Sequence, residues 1–232
     1  MDFTLVGLWH EMGFMARAVV VVLLAMSAYS LSIAVERLVA YRKGRALSRL
    51  YIEALAPMVE NTARLPEAVD LHKRFVGAPV ATVVGAGVAE YGKSLAAGSK
   101  ASATSAFDVA EAVNRTMERV KERELATLRR GLPVLATVAS SAPFVGLFGT
   151  VGGIITAFQK LADPTKGGGG IGTVSAGIAE ALITTAVGLG VAILTVWFYN
   201  YFTARLDDIT IDIDETASEL VDSILKGNVG RA

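Results

Sequence analysis

Three long stretches without charged residues, or nearly so, dominate the pattern of this chain. The first, 18–35, is eighteen residues long and would rise about 27 Å as a helix, against roughly 30 Å of bilayer hydrocarbon. The second covers 131–158, and the third, 171–204, contains a single charge, Glu180. The pattern predicts an all-α membrane protein with three transmembrane helices. A cleavable signal peptide is the alternative for the first stretch, but no small-residue cleavage site follows it.

Basic residues on the flanks of these stretches predict the orientation. Five basic residues follow the first stretch within 37–49, and four precede the second within 121–130. At the other ends of the three stretches the basic residues are only Arg17, Lys160 and Lys166. By the positive-inside rule, the amino terminus is periplasmic and the carboxyl terminus is cytoplasmic. The predicted segments are a periplasmic amino terminus (1–17), transmembrane helix 1 (18–35), a cytoplasmic helical domain (36–130), transmembrane helix 2 (131–158), a periplasmic loop (159–170), transmembrane helix 3 (171–204) and a cytoplasmic amphipathic tail (205–232).

The two polar segments predict long helical extensions. Segment 36–130 lacks the alternation of strands, and Pro57, Pro66, the Gly-Ala-Pro at 77–79 and the stretch 96–105 divide it into three helices. In the tail, apolar residues recur every three or four positions, so the third helix is expected to continue into the cytoplasm. Its other face is acidic. Two interpretations stay open for that face: a solvated helix surface, or a mouth that attracts cations.

Composition narrows the function. The chain is 53% hydrophobic and 19% charged, and its 22 basic residues balance 22 acidic ones, which argues against a nucleic-acid partner. Without cysteine there is no disulfide, iron–sulfur cluster or thiol catalysis. His10 and His72 lie on opposite sides of a predicted span and cannot share a metal. No catalytic motif is present, so we expect neither an enzyme nor a cofactor.

Small residues four positions apart predict close packing between the second and third spans. In a membrane such rows let neighbouring helix backbones approach closely. The bilayer cannot satisfy exposed backbone groups, so a glycine-rich apolar stretch is still predicted to be a helix. The packing positions expected from this spacing are Ala142, Gly146, Gly149, Gly153 and Gly188.

Glu180 is the first candidate for chemistry. An acid within a membrane span costs a few kcal/mol to insert and usually faces a bundle interior, a cavity or an ion path. The alternative is structural: Glu180 lies near enough to the outer interface to be hydrated, or it pairs with a neighbour. Glu180 cannot stay exposed to lipid without protein or water partners, so the chain is expected to oligomerise.

Threonines extend this candidate into a polar belt. If the spans form a hairpin about its loop, Glu180 is level with Gly149 and Thr150, and Thr185 is level with Phe144 and Val145. Thr150, Glu180, Thr184 and Thr185 would then line a narrow hydrated path. The alternative for each threonine is a silent hydrogen bond to the carbonyl four residues back.

Two motifs resemble a known family. They are SAPFVGLFGTVGGI at 141–154 and GIAEALITTAVGL at 177–189. Together with the order of three spans, they are similar to the MotA/TolQ/ExbB proton-channel family, in its ExbB/TolQ branch. One departure is Gly152, where many relatives have tryptophan, a change that alters packing or leaves room for a bulkier partner.

The resemblance implies an inner-membrane stator subunit that converts proton flow into mechanical work on the cell envelope. It implies a ring, a homopentamer, around the transmembrane helices of two copies of an ExbD/TolR-like single-span partner whose aspartate carries protons. Family pore positions fall on Thr150, Glu180 and Thr185. Such motors serve outer-membrane import, envelope integrity or gliding motility. The alternative hypothesis is a structural membrane scaffold or adaptor without ion conduction, in which the same polar residues only hold helices together.

Overall fold

The computed structural model describes residues 12–60, 62–96, 103–162 and 170–229, and within these ranges every regular element is a helix. Five are α-helices, and a 3-10 helix, Thr62–Arg74, lies between the first two. The α-helices are α1 (Phe14–Val59), α2 (Pro79–Ala96), α3 (Ala103–Leu128), α4 (Leu132–Ala162) and α5 (Ile171–Val229).

Three of these helices, α1, α4 and α5, are long and apolar enough to cross a membrane. They contain 46, 31 and 59 residues, whereas about 20 residues suffice to span a bilayer. The chain is therefore an all-α, multi-pass membrane protein, as the uncharged stretches predict. Helices α1 and α5 each continue without a break into polar sequence.

Two of the predicted helix boundaries in 36–130 are wrong. Helix α1 passes through Pro57 and ends at Val59, and Pro66 lies inside the 3-10 helix. A proline has no N–H to donate to the carbonyl four residues back, and its ring crowds that carbonyl, which fits a helix that ends two residues later. The boundary at 77–79 is confirmed: Gly77 has a φ of 92°, a left-handed conformation that favours glycine, and α2 begins at Pro79.

The chain divides into two compact units. We call residues 1–36 and 131–201 the membrane unit, and residues 37–130 and 202–232 the polar unit. The core of the membrane unit is formed by buried side chains from α1, α4 and α5: Val19, Leu23, Val138, Ala142, Val191 and Ala192. Its outer surface exposes large apolar side chains such as Phe144 and Trp197, as expected of helices that contact lipid or other membrane helices.

The polar unit has its own core around α2, whose valines are buried and whose Gly87 lies against the buried Met117 of α3. The apolar row of the tail, which recurs at steps of three and four, is buried except for the half-buried Ala217: the buried members are Leu206, Ile209, Ile213, Leu220 and Ile224. Phe202, four residues before Leu206, is also buried. Phe202 meets the ring of Tyr41 edge to face at 5.8 Å. The Tyr41 hydroxyl donates to the Leu128 carbonyl at 2.8 Å, and burial raises the pKa of this phenol.

Candidate functional site

The contact between α4 and α5 is built from glycines that leave no room for a side chain. A Cβ atom added to Gly146 would lie 2.9 Å from the carbonyl oxygen of Thr184. One added to Gly188 would lie 2.7 Å from the carbonyl oxygen of Ala142, itself fully buried. At Gly153 the added atom would be 3.0 Å from the Ala181 methyl. These backbones approach as closely as the spacing of small residues predicts.

Helix α1 joins this contact at two further glycines. A Cβ atom at Gly149 would lie 2.6 Å from the Thr184 hydroxyl and 2.9 Å from Val19 of α1. At Gly152 it would lie 2.8 Å from Cγ of Met15, also on α1. Met15 therefore occupies part of the space next to Gly152.

Two half-buried threonines meet across the α4–α5 contact. The hydroxyls of Thr150 and Thr185 are hydrogen-bonded to each other, and Thr150 also donates toward the carbonyl oxygens of Ala181 at 3.2 Å and Gly146 at 3.3 Å. The bond to Gly146 is the common bond from a threonine to the carbonyl four residues back in its own helix. The other two bonds join different helices, so Thr150 does more than satisfy its own helix.

Thr184 has a different environment. It is fully buried, and its hydroxyl donates to the carbonyl oxygens of Ala181 at 2.7 Å and Gly146 at 3.1 Å. In the single chain this side chain has no exposed surface, and one of its hydrogen bonds crosses the α4–α5 contact. Its place in the predicted path stays a prediction.

The register of α4 and α5 differs from the hairpin estimate by about one and a half helical turns. That estimate places Thr185 level with Phe144 and Val145, but Thr185 lies level with Thr150, to which it is bonded. The interlocking glycines set this register, because Gly146 and Gly188 fit only against each other's backbone. The hairpin estimate used only the midpoint of the 159–170 loop, which does not constrain how the two helices pack. The shift brings the two hydroxyls together and moves Glu180 toward the end of α4 that adjoins the loop.

Glu180 is half-buried, and its carboxylate accepts a hydrogen bond of 2.5 Å from the backbone N–H of Gly13. Gly13 directly precedes α1, and its carbonyl oxygen accepts the first bond of that helix, from the N–H of Arg17. It is therefore the N-cap residue of α1, whose N–H groups have no partner within the helix. The carboxylate satisfies one of them, and it also lies at the positive end of the helix dipole.

Sequence reasoning missed this contact for a physical reason. A helix start is normally recognised from a capping side chain and from an acid within the first turn. Gly13 has no side chain, and α1 has no acid in its first turn. The capping acid comes instead from a residue 167 positions later in the chain. Beyond Glu180 itself, the only signal was the missing local cap. Around the contact, Met12, which precedes α1, and Ala16 and Val20 of α1 pack with Ile183.

These groups lie within or beside the part of the chain that matches a known family. The description of that family is the MotA/TolQ/ExbB proton channel family, and the match covers residues 89–215, more than half of the chain. This chain belongs to that family. The matched residues include all of α4 and the apolar part of α5, and with them Thr150, Glu180 and Thr185.

Curated relatives place the chain in the ExbB/TolQ branch of the family. It is 50% identical over 97 residues to the Tol-Pal system protein TolQ of Pseudomonas aeruginosa. The aligned stretch covers 42% of this chain and 41% of that protein. It is 40% identical over 118 residues to TolQ of Haemophilus influenzae, 51% of each chain. It is 39% identical over 118 residues to the biopolymer transport protein ExbB of Xanthomonas campestris, 51% of this chain and 46% of that protein. The matches thus span about half the length of these relatives.

Proposed function

We propose that this chain is the stator subunit of an inner-membrane motor driven by the proton motive force. In this proposal it forms a homo-oligomer, a pentamer by resemblance, around two copies of an ExbD/TolR-like single-span partner. A unit charge crossing the membrane potential yields about 2.3 kcal/mol per 100 mV, which supplies the work. Outer-membrane import, envelope integrity and gliding motility are the candidate tasks, and the partner would decide among them.

The observation that supports this function most directly is the placement of Glu180. It is the one charged residue in 171–204, in a chain of a proton-channel family, and it is neither buried out of reach nor fully exposed. We assign the proton path to Glu180 with Thr150 and Thr185, whose hydroxyls lie half-buried at the α4–α5 contact. The protons would pass between this chain and the partner's aspartate.

A structural scaffold is the second candidate function, and one contact favours it. The bond from Gly13 to the Glu180 carboxylate is what a purely structural acid would make. In that case Glu180 would anchor the start of α1, and Thr150 and Thr185 would only hold α4 against α5.

Proton flux in liposomes distinguishes the two functions. The purified chain is reconstituted with and without its partner, a potassium gradient with valinomycin sets the potential, and a trapped pH-sensitive dye reports flux. A motor subunit should conduct protons when the partner is present, and flux should stay at the background of empty liposomes when the chain is alone. Background flux in both preparations, with an assembled complex verified by native mass spectrometry, would contradict the motor and support the scaffold.

Membrane topology provides a separate prediction. The basic flanks predict a periplasmic 159–170 loop and a cytoplasmic 36–130 segment. The chain has no cysteine, so single cysteines can be introduced directly. In intact cells with a permeabilised outer membrane, a membrane-impermeant maleimide should label Gly170→Cys but not Ala126→Cys; both positions are exposed. Ala126→Cys should react only after cell lysis. The reverse labelling would invert the proposed orientation.

A further inference from the structure

Helix α1 carries an exposed basic face within the polar unit. Arg42, Lys43 and Arg49 are exposed there, and Leu50 among them keeps 53% of its surface accessible. These four residues, which we call the basic face, point away from the side of α1 that buries Tyr51 and Leu55. A single exposed leucine is ordinary in a soluble protein and does not by itself indicate a binding surface. It does so only together with the residues around it.

Helix α5 carries the opposite charge on an equally exposed face. Asp207, Ile211 and Glu215 follow one another at steps of four and therefore lie in one stripe. Ile211 is 62% exposed between the two acids. We call these three residues the acidic face. It points away from the buried row of α5 that includes Ile209 and Ile213.

Neither face pairs its charges with another described residue of the chain. Among the residues that the structure describes, no ion pair or side-chain hydrogen bond involves Arg42, Lys43, Arg49, Asp207 or Glu215. Their neighbours are engaged instead. Arg45 pairs with Asp208 at 3.2 Å and with Asp212 at 3.7 Å, and Asp214 pairs with Lys121 at 2.9 Å.

The two faces lie at the same height along parallel helices. Within the polar unit, three contacts join α1 and α5 in the same order along both helices: Tyr41 with Phe202, Arg45 with Asp208, and Val59 with Ser223. Residues at equal height therefore differ by about 163 in number. By this offset Leu50 is within two residues of Ile211, about 3 Å along the axis, and Arg49 lies between Asp207 and Glu215.

We propose that the basic face of one copy docks against the acidic face of the next copy. Leu50 would pack on Ile211, and Arg42, Lys43 and Arg49 would lie beside Asp207 and Glu215. A rotation about an axis along the helices keeps every residue at its height, so faces of matched height within one chain meet between copies. The inference rests on the homo-oligomer of the proposed function. It adds the surface through which neighbouring copies contact each other in the ring.

The charges also fix how the copies are related. Two basic faces repel each other, and so do two acidic faces, so a twofold contact that pairs a face with itself is disfavoured. The favourable contact pairs unlike faces and runs head to tail. A head-to-tail contact in which each copy has both faces generates a ring when its rotation closes. A second copy supplies both the opposite charge and the apolar centre, whereas lipid headgroups would satisfy only the basic face.

Disulfide trapping in the full-length chain tests the contact. We expect the double variant Leu50→Cys/Ile211→Cys, oxidised in membranes, to give a ladder of covalent multimers that ends at the ring size found by native mass spectrometry. Each single-cysteine variant should remain monomeric on the same gel, because a head-to-tail contact never brings two copies of one position together. Reducing agent should collapse the ladder.

Charge exchange supplies a second measurement that does not depend on cysteine geometry. Arg49→Glu or Glu215→Arg alone should reduce ladder formation several-fold in the double-cysteine background, and the two together should restore it. Dimers from either single cysteine, or an oligomer that gives no ladder, would overturn the inference and leave the motor proposal intact. A chain that is monomeric with and without the partner would overturn both.

Discussion

Replacing Glu180 with glutamine is expected to reduce proton flux through the reconstituted complex to background. The glutamine carbonyl oxygen can still accept the hydrogen bond from Gly13, so the start of α1 keeps its cap. What the substitution removes is the charge and the ability to bind and release a proton. Insertion should not suffer, because removing a charge from a span relieves a cost of a few kcal/mol.

Glu180→Ala is the comparison that separates the two roles of this side chain. It removes both the proton site and the cap, and the lost charge-assisted hydrogen bond is worth about 1.5–3 kcal/mol. We therefore expect both variants to stop conducting, and only the alanine variant to loosen α1, seen as faster hydrogen exchange around Gly13.

Glu122→Gln is the matched control for this pair. Glu122 is exposed on α3 in the polar unit, so its neutralisation should leave flux unchanged. If Glu180→Gln conducts like the wild type while Glu180→Ala does not, the carboxylate serves only as a cap. Glu180 would then have a structural role within a conducting complex.

A single methyl group at Gly188 is expected to destabilise the membrane unit and the assembled complex. The Cβ atom of Gly188→Ala would lie 2.7 Å from the Ala142 carbonyl oxygen and 3.0 Å from Cα of Gly146. Both obstacles are backbone atoms, so the helices must separate rather than a side chain turn aside. Overpacking of this kind costs about 1–3 kcal/mol, and the thermal stability of the purified complex should fall accordingly.

Gly190→Ala is the control in the same helix, two residues further on. A Cβ atom there has no neighbour within 4 Å in the chain, and α5 gains a better helix former. Its thermal stability should equal or slightly exceed that of the wild type. Equal losses from the two variants would mean that the cost comes from the helix itself and not from the α4–α5 contact.

The sequence by itself determined the class of the molecule. A span needs a minimum length of apolar residues, and that requirement can be counted along the chain without knowing any contact. The rows of small residues also predicted a close helix contact without any tertiary information, because positions four apart share a helix face in any fold. The order of residues alone therefore places Gly146 and Gly188 at a helix contact and singles out Glu180 as the charge within a span.

The tertiary structure decided what those residues touch. The register of α4 against α5 follows from the close contacts of the glycines, and it differs by about one and a half turns from the hairpin estimate, pairing Thr150 with Thr185. Thr184 was indistinguishable from its neighbour in sequence, yet packing buries it completely. The cap on α1 joins Gly13 to Glu180 across 167 positions. No local rule reaches such a pair, because its free energy exists only once the helices have come together.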